Sequence, residues 1–221
     1  MPIKKPQLVI FDMDGTMFDT EMLSIKGWEA AVAAQIPGIP WEEFSQVFYS
    51  MLGRNLANCR QISNELMPEF DFDKGNEDSF IYMDNYMKTH GVPIKPGLFE
   101  LLDALEELNI KKCVATSTAK DRATQKLEMA NIAHRFEVIV GGDEVVISKP
   151  NPEIFLKAAK ACGVAPENCL VLEDSAAGVE AGYKAGMEVI VIPDLVQPTQ
   201  ETCDMANEKC KDLFEVAGLL V

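Results

Sequence analysis

Residues 8–16 read LVIFDMDGT, and this stretch decides which fold the rest of the sequence can build. Positions 8–11 form an uninterrupted apolar run, which is typical of a strand buried on both faces of a parallel sheet. Asp12 and Asp14 therefore stand where the strand ends, at the edge where open α/β sheets bind ligands. Two acids alone are weak evidence in a chain with 35 Asp and Glu residues, but the preceding strand and the following Gly-Thr favour a phosphoryl-transfer site.

Strand-like segments recur after this first one, and a helical stretch separates each from the next. They lie at 112–115, 136–140, 169–172 and 188–192. Regular alternation of strands and helices is the pattern of a parallel sheet with helices packed on it. The sequence therefore predicts an α/β fold with a Rossmann-like parallel sheet.

Polar residues mark the expected starts of three helices that follow these strands. Thr118 precedes Asp121 by three positions, as in a capping box, Asn151 precedes Pro152, and Ser175 follows an acidic pair. Three helix N-termini are therefore expected at the ligand-binding edge, where they favour phosphate.

The alternation breaks between residues 18 and 91, where apolar residues recur at helical spacing and no strand pattern appears. Four helices fit this segment, and its Met and aromatic residues are expected to form its own core. We predict that 1–17 and 92–221 form an α/β catalytic core and that 18–91 is an inserted helical cap domain. An insert placed directly after the catalytic strand could act as a lid.

Composition excludes several classes of protein. A net charge of −15 argues against nucleic acid or an anionic membrane as a partner, since both require clustered Lys and Arg. No apolar run is long enough for a membrane span or a signal sequence, which predicts a cytoplasmic protein. Six cysteines without a C-x-x-C pair, and two histidines, predict reduced structural thiols and no zinc site. Oligomeric state is not determined by these features.

Four segments resemble the motifs of the haloacid dehalogenase-like hydrolases, in the branch with a helical cap after the first strand. In chain order they are DMDGT (12–16), VATST (114–118), SKPNPEIF (148–155) and LVLEDSAAGVEAGYKAG (170–186). The resemblance covers nearly the whole chain and is nearest to the group that contains β-phosphoglucomutase and small sugar-phosphate phosphatases.

Three residues carry the catalytic roles in this interpretation. Asp12 is the expected nucleophile, since a carboxylate can form an aspartyl phosphate and split one difficult displacement into two easier ones. The resemblance assigns Asp12 the same role and makes Asp14 the general acid and base. Lys149 is expected to neutralise the phosphate and the nucleophile.

A metal site is also expected at this edge. Glu173 and Asp174 follow another strand, and oxygen-only ligands suit Mg²⁺. The resemblance adds the Asp12 carboxylate and the Asp14 backbone carbonyl as ligands. Mg²⁺ is therefore the predicted cofactor.

Substrate-binding candidates lie in two regions. Thr116 and the backbone N–H of Ser117 are expected to bind phosphoryl oxygens, as in the second motif. Thr20 follows Asp19 at the hinge where the cap begins, and contacts phosphate or caps the first cap helix. Arg54, in a predicted interhelix loop, holds a distal substrate group or is a solvated surface arginine.

The sequence supports three functional hypotheses. The first is a Mg²⁺-dependent phosphatase that acts on a small phosphorylated metabolite, preferably a sugar phosphate. The second is a phosphohexomutase, but Ser24 stands where such mutases resembling this chain carry a histidine. The third is a catalytically inactive binding protein, which the joint presence of Asp12, Asp14, Lys149 and Asp174 disfavours.

Overall fold

The computed structural model describes residues 4–51 and 56–220. The chain divides into two compact units, one formed by Met1–Asp19 with Val92–Val221 and the other by Thr20–Gly91. The first unit contains the sheet and the second is helical. Within the described residues, no helix combines the length and the apolar character that a membrane span requires.

The sheet of the first unit is parallel throughout. Its strands are β1 (Leu8–Phe11), β2 (Lys111–Ala115), β3 (Val138–Val140), β4 (Cys169–Glu173), β5 (Glu188–Val191) and β6 (Glu208–Lys209). They lie in the order β3-β2-β1-β4-β5-β6. Five of these strands are predicted from the apolar runs, and the two-residue β6 is not.

The position of β1 in the middle of the sheet brings the site residues together. Phe11 lies opposite Val114 of β2 on one side and Leu172 of β4 on the other. The residues that follow these three strands therefore emerge side by side at one edge. The backbone N–H of Asp12 extends the ladder by donating to the carbonyl of Leu172 at 2.9 Å.

Ten α-helices are present in the described residues. The helical unit contains α1 (Thr20–Gln35), α2 (Trp41–Met51), α3 (Leu56–Leu66) and α4 (Phe72–His90). The α/β unit contains α5 (Leu98–Glu107), α6 (Lys120–Met129), α7 (Glu153–Ala161), α8 (Ala176–Lys184), α9 (Gln200–Met205) and α10 (Leu213–Leu220). The predicted fold class, a parallel α/β sheet with an inserted four-helix segment, is confirmed.

The helical unit has an aromatic core of its own. The ring of Trp28 stacks on Phe44 at a centroid distance of 6.1 Å and also contacts Phe70 and Phe72. Such ring pairs stabilise a core beyond the area they bury. The roles of the two units as catalytic core and cap remain predictions.

Helix starts at the ligand edge follow the sequence only in part. Ser175 caps α8 as expected, since its side-chain oxygen accepts the N–H of Gly178. Thr118 does not cap α6, which begins after Ala119, and its hydroxyl donates to Asp14 instead. The expectation of a capping box at Thr118 is therefore wrong, because the N-cap of α6 lies one position later, at Ala119, whose side chain has no acceptor.

Candidate active site

A buried lysine joins two carboxylates at the centre of the sheet edge. Lys149, in the loop before α7, donates from Nζ to Oδ1 of Asp12 at 2.5 Å and to Oε1 of Glu173 at 2.6 Å. Its side chain is only 6% exposed, and that of Glu173 only 1%. Charge-assisted hydrogen bonds between groups so well shielded from solvent fix the relative positions of Lys149, Asp12 and Glu173.

Burial and the neighbouring charges shift the protonation equilibria of this group. Burial raises the pKa of the Asp12 carboxyl to about 7; the Lys149 ammonium opposes this rise, and the Glu173 carboxylate adds to it. Burial alone would lower the pKa of the Lys149 ammonium, but Asp12 and Glu173 together hold that pKa above its ordinary value. Lys149 is therefore a permanent positive charge beside Asp12.

Glu173 is held from two sides. While Oε1 accepts from Lys149, Oε2 accepts from the backbone N–H of Ser175 at 2.8 Å and from its hydroxyl at 2.9 Å. A Cβ at Gly178, in the first turn of α8, would overlap this carboxylate. The start of α8 therefore both orients Glu173 and leaves room for it.

A third carboxylate completes an acidic group. Carboxylate oxygens of Asp12, Glu173 and Asp174 lie within 4.8 Å of one another. Asp174 Oδ1 accepts the hydroxyl of the fully buried Thr16 at 3.1 Å. Gly15, with φ of +86°, passes so close to Asp174 that any side chain there would collide with its carboxylate.

The donor chemistry of this acidic group fits a divalent cation. The Lys149 ammonium contacts two of its three carboxylates, those of Asp12 and Glu173, and oxygens of all three lie within 4.8 Å of one another. Oxygen-only donors are those that Mg²⁺ prefers. Both oxygens of Glu173 already accept hydrogen bonds, which makes that carboxylate less available to bind an ion directly.

Asp14 lies apart from Lys149 and has other partners. Its Oδ1 accepts from Nζ of Lys126 at 2.5 Å, and its Oδ2 accepts from the hydroxyl of Thr118 at 2.7 Å. The Asp14 side chain is 27% exposed, whereas that of Lys126 is only 11% exposed. The Asp14 carboxylate therefore keeps access to solvent, while the more deeply buried ammonium of Lys126 holds it in place.

The loop after β2 supplies the predicted phosphate-binding groups. Thr116 is buried, and its Oγ1 accepts the backbone N–H of Thr118 at 3.1 Å, which leaves its own hydroxyl hydrogen to donate. Ser117 is exposed next to it. The loop packs closely on the segment after β3, since a Cβ at Gly142 would overlap the carbonyl of Ser117.

The remaining predicted residues belong to other parts of the chain. Thr20 is the buried first residue of α1 in the helical unit. Arg54 lies outside the described residues. The roles of both residues stay predictions.

Sequence reasoning missed Lys126 and the role of Thr118. A signal for Lys126 was present, because α6 buries Ala123, Lys126 and Leu127, and these positions form one helical stripe. A lysine on an otherwise apolar stripe requires a partner for its charge. Thr118 had no such signal, since its pattern is equally typical of a helix cap.

Comparison with known proteins agrees with the motifs and the fold. A family model described as haloacid dehalogenase-like hydrolase matches residues 9–192. The chain is 31% identical over 197 residues to the phosphorylated carbohydrates phosphatase of Thermotoga maritima, covering 83% of each protein. It is 32% identical over 200 residues to a Drosophila melanogaster protein assigned as a pseudouridine-5′-phosphatase, covering 87% of this chain and 84% of that protein.

A solved structure shows the same architecture over almost the full length. It is that of a Thermotoga maritima protein assigned as a β-phosphoglucomutase, with a TM-score of 0.81 and 25% identity, covering 97% of this chain and 98% of the other. The predicted fold and the predicted enzyme class, a phosphatase of this family, are thereby confirmed. The chain belongs to the haloacid dehalogenase-like hydrolases.

Proposed function

We propose that this hydrolase is a Mg²⁺-dependent phosphatase that cleaves a small sugar phosphate through a phosphorylated Asp12. The observation that carries the proposal is the contact of Lys149 with both Asp12 and Glu173 at the centre of the sheet edge. A carboxylate nucleophile beside a fixed ammonium can approach an anionic phosphoryl group with less repulsion.

In the first step, an oxygen of Asp12 attacks phosphorus as the ester P–O bond breaks. The leaving alkoxide takes a proton from Asp14, which stands two residues from the nucleophile and remains partly open to solvent. The hydroxyl of Thr116 and the N–H of Ser117 bind the phosphoryl oxygens. Lys149 offsets the charge that gathers on them.

In the second step, water attacks the phosphorus of the aspartyl phosphate. Asp14, now a carboxylate, takes a proton from that water, and the bond from phosphorus to Asp12 breaks. Inorganic phosphate leaves, and Asp12 returns as a carboxylate. Both steps use the same residues in reverse roles, as a double displacement requires.

Mg²⁺ is proposed because the donor set fits it. The carboxylates of Asp12 and Asp174, with the backbone carbonyl of Asp14, would hold the ion, while Thr16 orients Asp174. When bound, the ion offsets the negative charge of the phosphoryl group and of its surrounding acids.

The substrate class rests on the relatives. One relative, the Thermotoga maritima protein, is named as a phosphatase of phosphorylated carbohydrates, and another is assigned to a pseudouridine phosphate. Both names describe a phosphate carried on a sugar. A sugar phosphate is therefore the preferred class for this chain.

The test is phosphate release by the purified protein with Mg²⁺ across a panel of sugar phosphates and nucleotides. We expect release from several sugar phosphates, its loss in excess chelator, and its loss in Asp12→Asn, which keeps the shape of the side chain but cannot form the acyl phosphate. An Asp12→Asn variant within about tenfold of the parent rate would remove Asp12 from the mechanism.

A phosphohexomutase is the second candidate, favoured by the full-length likeness to the protein assigned as a β-phosphoglucomutase. Ser24, in α1, weighs against it, because a hydroxyl cannot relay protons near neutral pH as imidazole can. Phosphorus NMR of the protein with Mg²⁺, β-glucose 1-phosphate and a trace of glucose bisphosphate separates the two. Glucose 6-phosphate forming much faster than inorganic phosphate would favour the mutase.

A further inference from the structure

Asp14 is gripped by two donors that come from different places in the chain. Lys126 reaches it from the second turn of α6, and Thr118 reaches it from the loop before that helix. Each donor takes a different oxygen of the carboxylate. Two hydrogen bonds to the two oxygens fix the plane of the group as well as its position.

Burial of the Lys126 side chain costs free energy, so an interaction must offset that cost. Its neighbours on the buried stripe of α6 are Ala123 and Leu127, both fully buried. Ordering a lysine there costs side-chain entropy and part of the hydration of its ammonium. The bond to Asp14 at the inner end of the side chain is the interaction that can offset this cost.

The grip leaves Asp14 in an accepting arrangement. Both oxygens accept, one from an ammonium and one from a hydroxyl, so the carboxylate is held in one orientation. We propose that Lys126 is a positioning residue that holds Asp14 ready to take a proton from the water that hydrolyses phosphorylated Asp12. This inference rests on the function proposed above and extends it to one of its two steps.

Hydrolysis of the phospho-enzyme is a single displacement at phosphorus. The water oxygen forms a bond to phosphorus, and the bond between phosphorus and the Asp12 oxygen breaks with its electron pair staying on the Asp12 carboxylate. One water proton passes to Asp14. Lys126 keeps all its protons and touches neither water nor phosphorus, so it acts through Asp14 alone.

Replacing Lys126 should therefore slow the two steps unequally. Lys126→Met keeps the unbranched apolar stem of the side chain, one atom shorter, and removes the charge and the donor. Formation of the phospho-enzyme from p-nitrophenyl phosphate needs little help from an acid, because nitrophenolate is a good leaving group. Hydrolysis of the phospho-enzyme still needs the base, so the phospho-enzyme should accumulate.

The experiment is rapid mixing of the Mg²⁺-loaded protein with p-nitrophenyl phosphate. We expect Lys126→Met to release about one nitrophenolate per enzyme in a burst and then to turn over slowly. The ratio of burst rate to steady rate should rise at least about tenfold over the parent, in keeping with general-base effects. Lys126→Arg should restore much of the steady rate.

A matched control separates this effect from loss of a surface charge. Lys184 forms an ion pair with Glu180 on the outside of α8 and is 48% exposed. Lys184→Met is the same substitution away from Asp14 and should leave both phases unchanged. Thr118→Val, which removes the second donor with little change of shape, should shift the ratio in the same direction as Lys126→Met.

The possible results test the proposed function and the role of Lys126 separately. A parent protein that releases no phosphate from any substrate overturns the proposed function, and this inference with it. An active parent whose Lys126→Met variant loses burst and steady rates equally, or neither, overturns the inference alone. Should Lys126→Met fail to fold, Thr118→Val carries the decision: an unchanged ratio in that variant rejects the role of the grip.

Discussion

At the scale of single residues, the site depends on two glycines, which leave room for neighbouring carboxylates. Gly178 leaves the space that the Glu173 carboxylate fills, and Gly15 leaves the space beside Asp174. Glu173 in turn holds Lys149 against Asp12. Positions that take no part in the chemistry thus set the distances between groups that do.

We predict that Gly178→Ala lowers kcat by about ten- to a hundredfold, because displacement of Glu173 by roughly 1 Å misplaces Lys149. Overpacking of this kind also costs about 1–3 kcal/mol of stability. Steady-state kinetics and thermal unfolding check both effects. The control is Gly218→Ala in α10, where a Cβ meets no atom within 4 Å and the added methyl should stabilise the helix slightly. Equal activity in the two variants would contradict the role given to Gly178.

We predict that Asp14→Asn harms substrates with poor leaving groups more than activated aryl phosphates. In the proposed mechanism only an alkoxide leaving group needs a proton from Asp14, so the loss of kcat/KM should grow as the pKa of the leaving alcohol rises. A plot of log kcat/KM against that pKa for parent and variant provides the measurement. Parallel plots would remove the acid role from Asp14.

At the scale of elements, the sequence predicts what depends on continuous local pattern. Five strands and four inserted helices follow from apolar runs and helical spacing, but β6 has only Glu208 and Lys209, both exposed, and carries no apolar signal. Asp12 and Lys149 are recognised because they sit in motifs. The grip on Asp14 could not be predicted in the same way, since the contact of Lys126 with Asp14 joins residues 112 positions apart in the chain.

An ion-pair network ties α5 to β2, and it gives a prediction for stability against pH. The hydrogen bond from Arg135, assisted by Lys112, lowers the pKa of Glu106 to about 2 from the ordinary 4.5. A carboxylate with a depressed pKa stabilises the fold fully above its unfolded pKa, and this contribution is lost as the pH falls through the folded pKa. The network should therefore weaken between about pH 4.5 and pH 2.

The test compares the free energies of unfolding of Glu106→Gln and the parent across that range. The difference should be constant above about pH 5 and shrink toward pH 2. Because Glu106 is half exposed, we expect no more than about 1 kcal/mol. Glu107→Gln, at the exposed neighbouring position, should show a much smaller difference. A difference that grows on acidification would have the wrong sign for this network.

At the scale of the whole molecule, the net charge of −15 makes cations a general influence on stability, and the acidic group at the sheet edge a specific one. Mg²⁺ that binds the folded chain should raise its Tm. At an ion concentration of 100 Kd, binding adds about 2.7 kcal/mol to the free energy of unfolding. Thermal unfolding with MgCl₂, against NaCl at equal ionic strength, separates binding from screening. Asp174→Ala should lose most of the Mg²⁺-specific shift in Tm. An undiminished shift would show that the ion binds at another site.

The chain leaves and re-enters the α/β unit through neighbouring residues. Phe18 pairs with Ile94 in a short antiparallel bridge, and the N–H of Asp19 donates to the carbonyl of Pro93 at 2.9 Å. These two contacts, Phe18 with Ile94 and Asp19 with Pro93, lie outside the segment 20–91, so they do not depend on the residues of the helical insert. We therefore expect that the segment 20–91 can be lengthened, shortened or exchanged while the loop after β1 keeps these contacts.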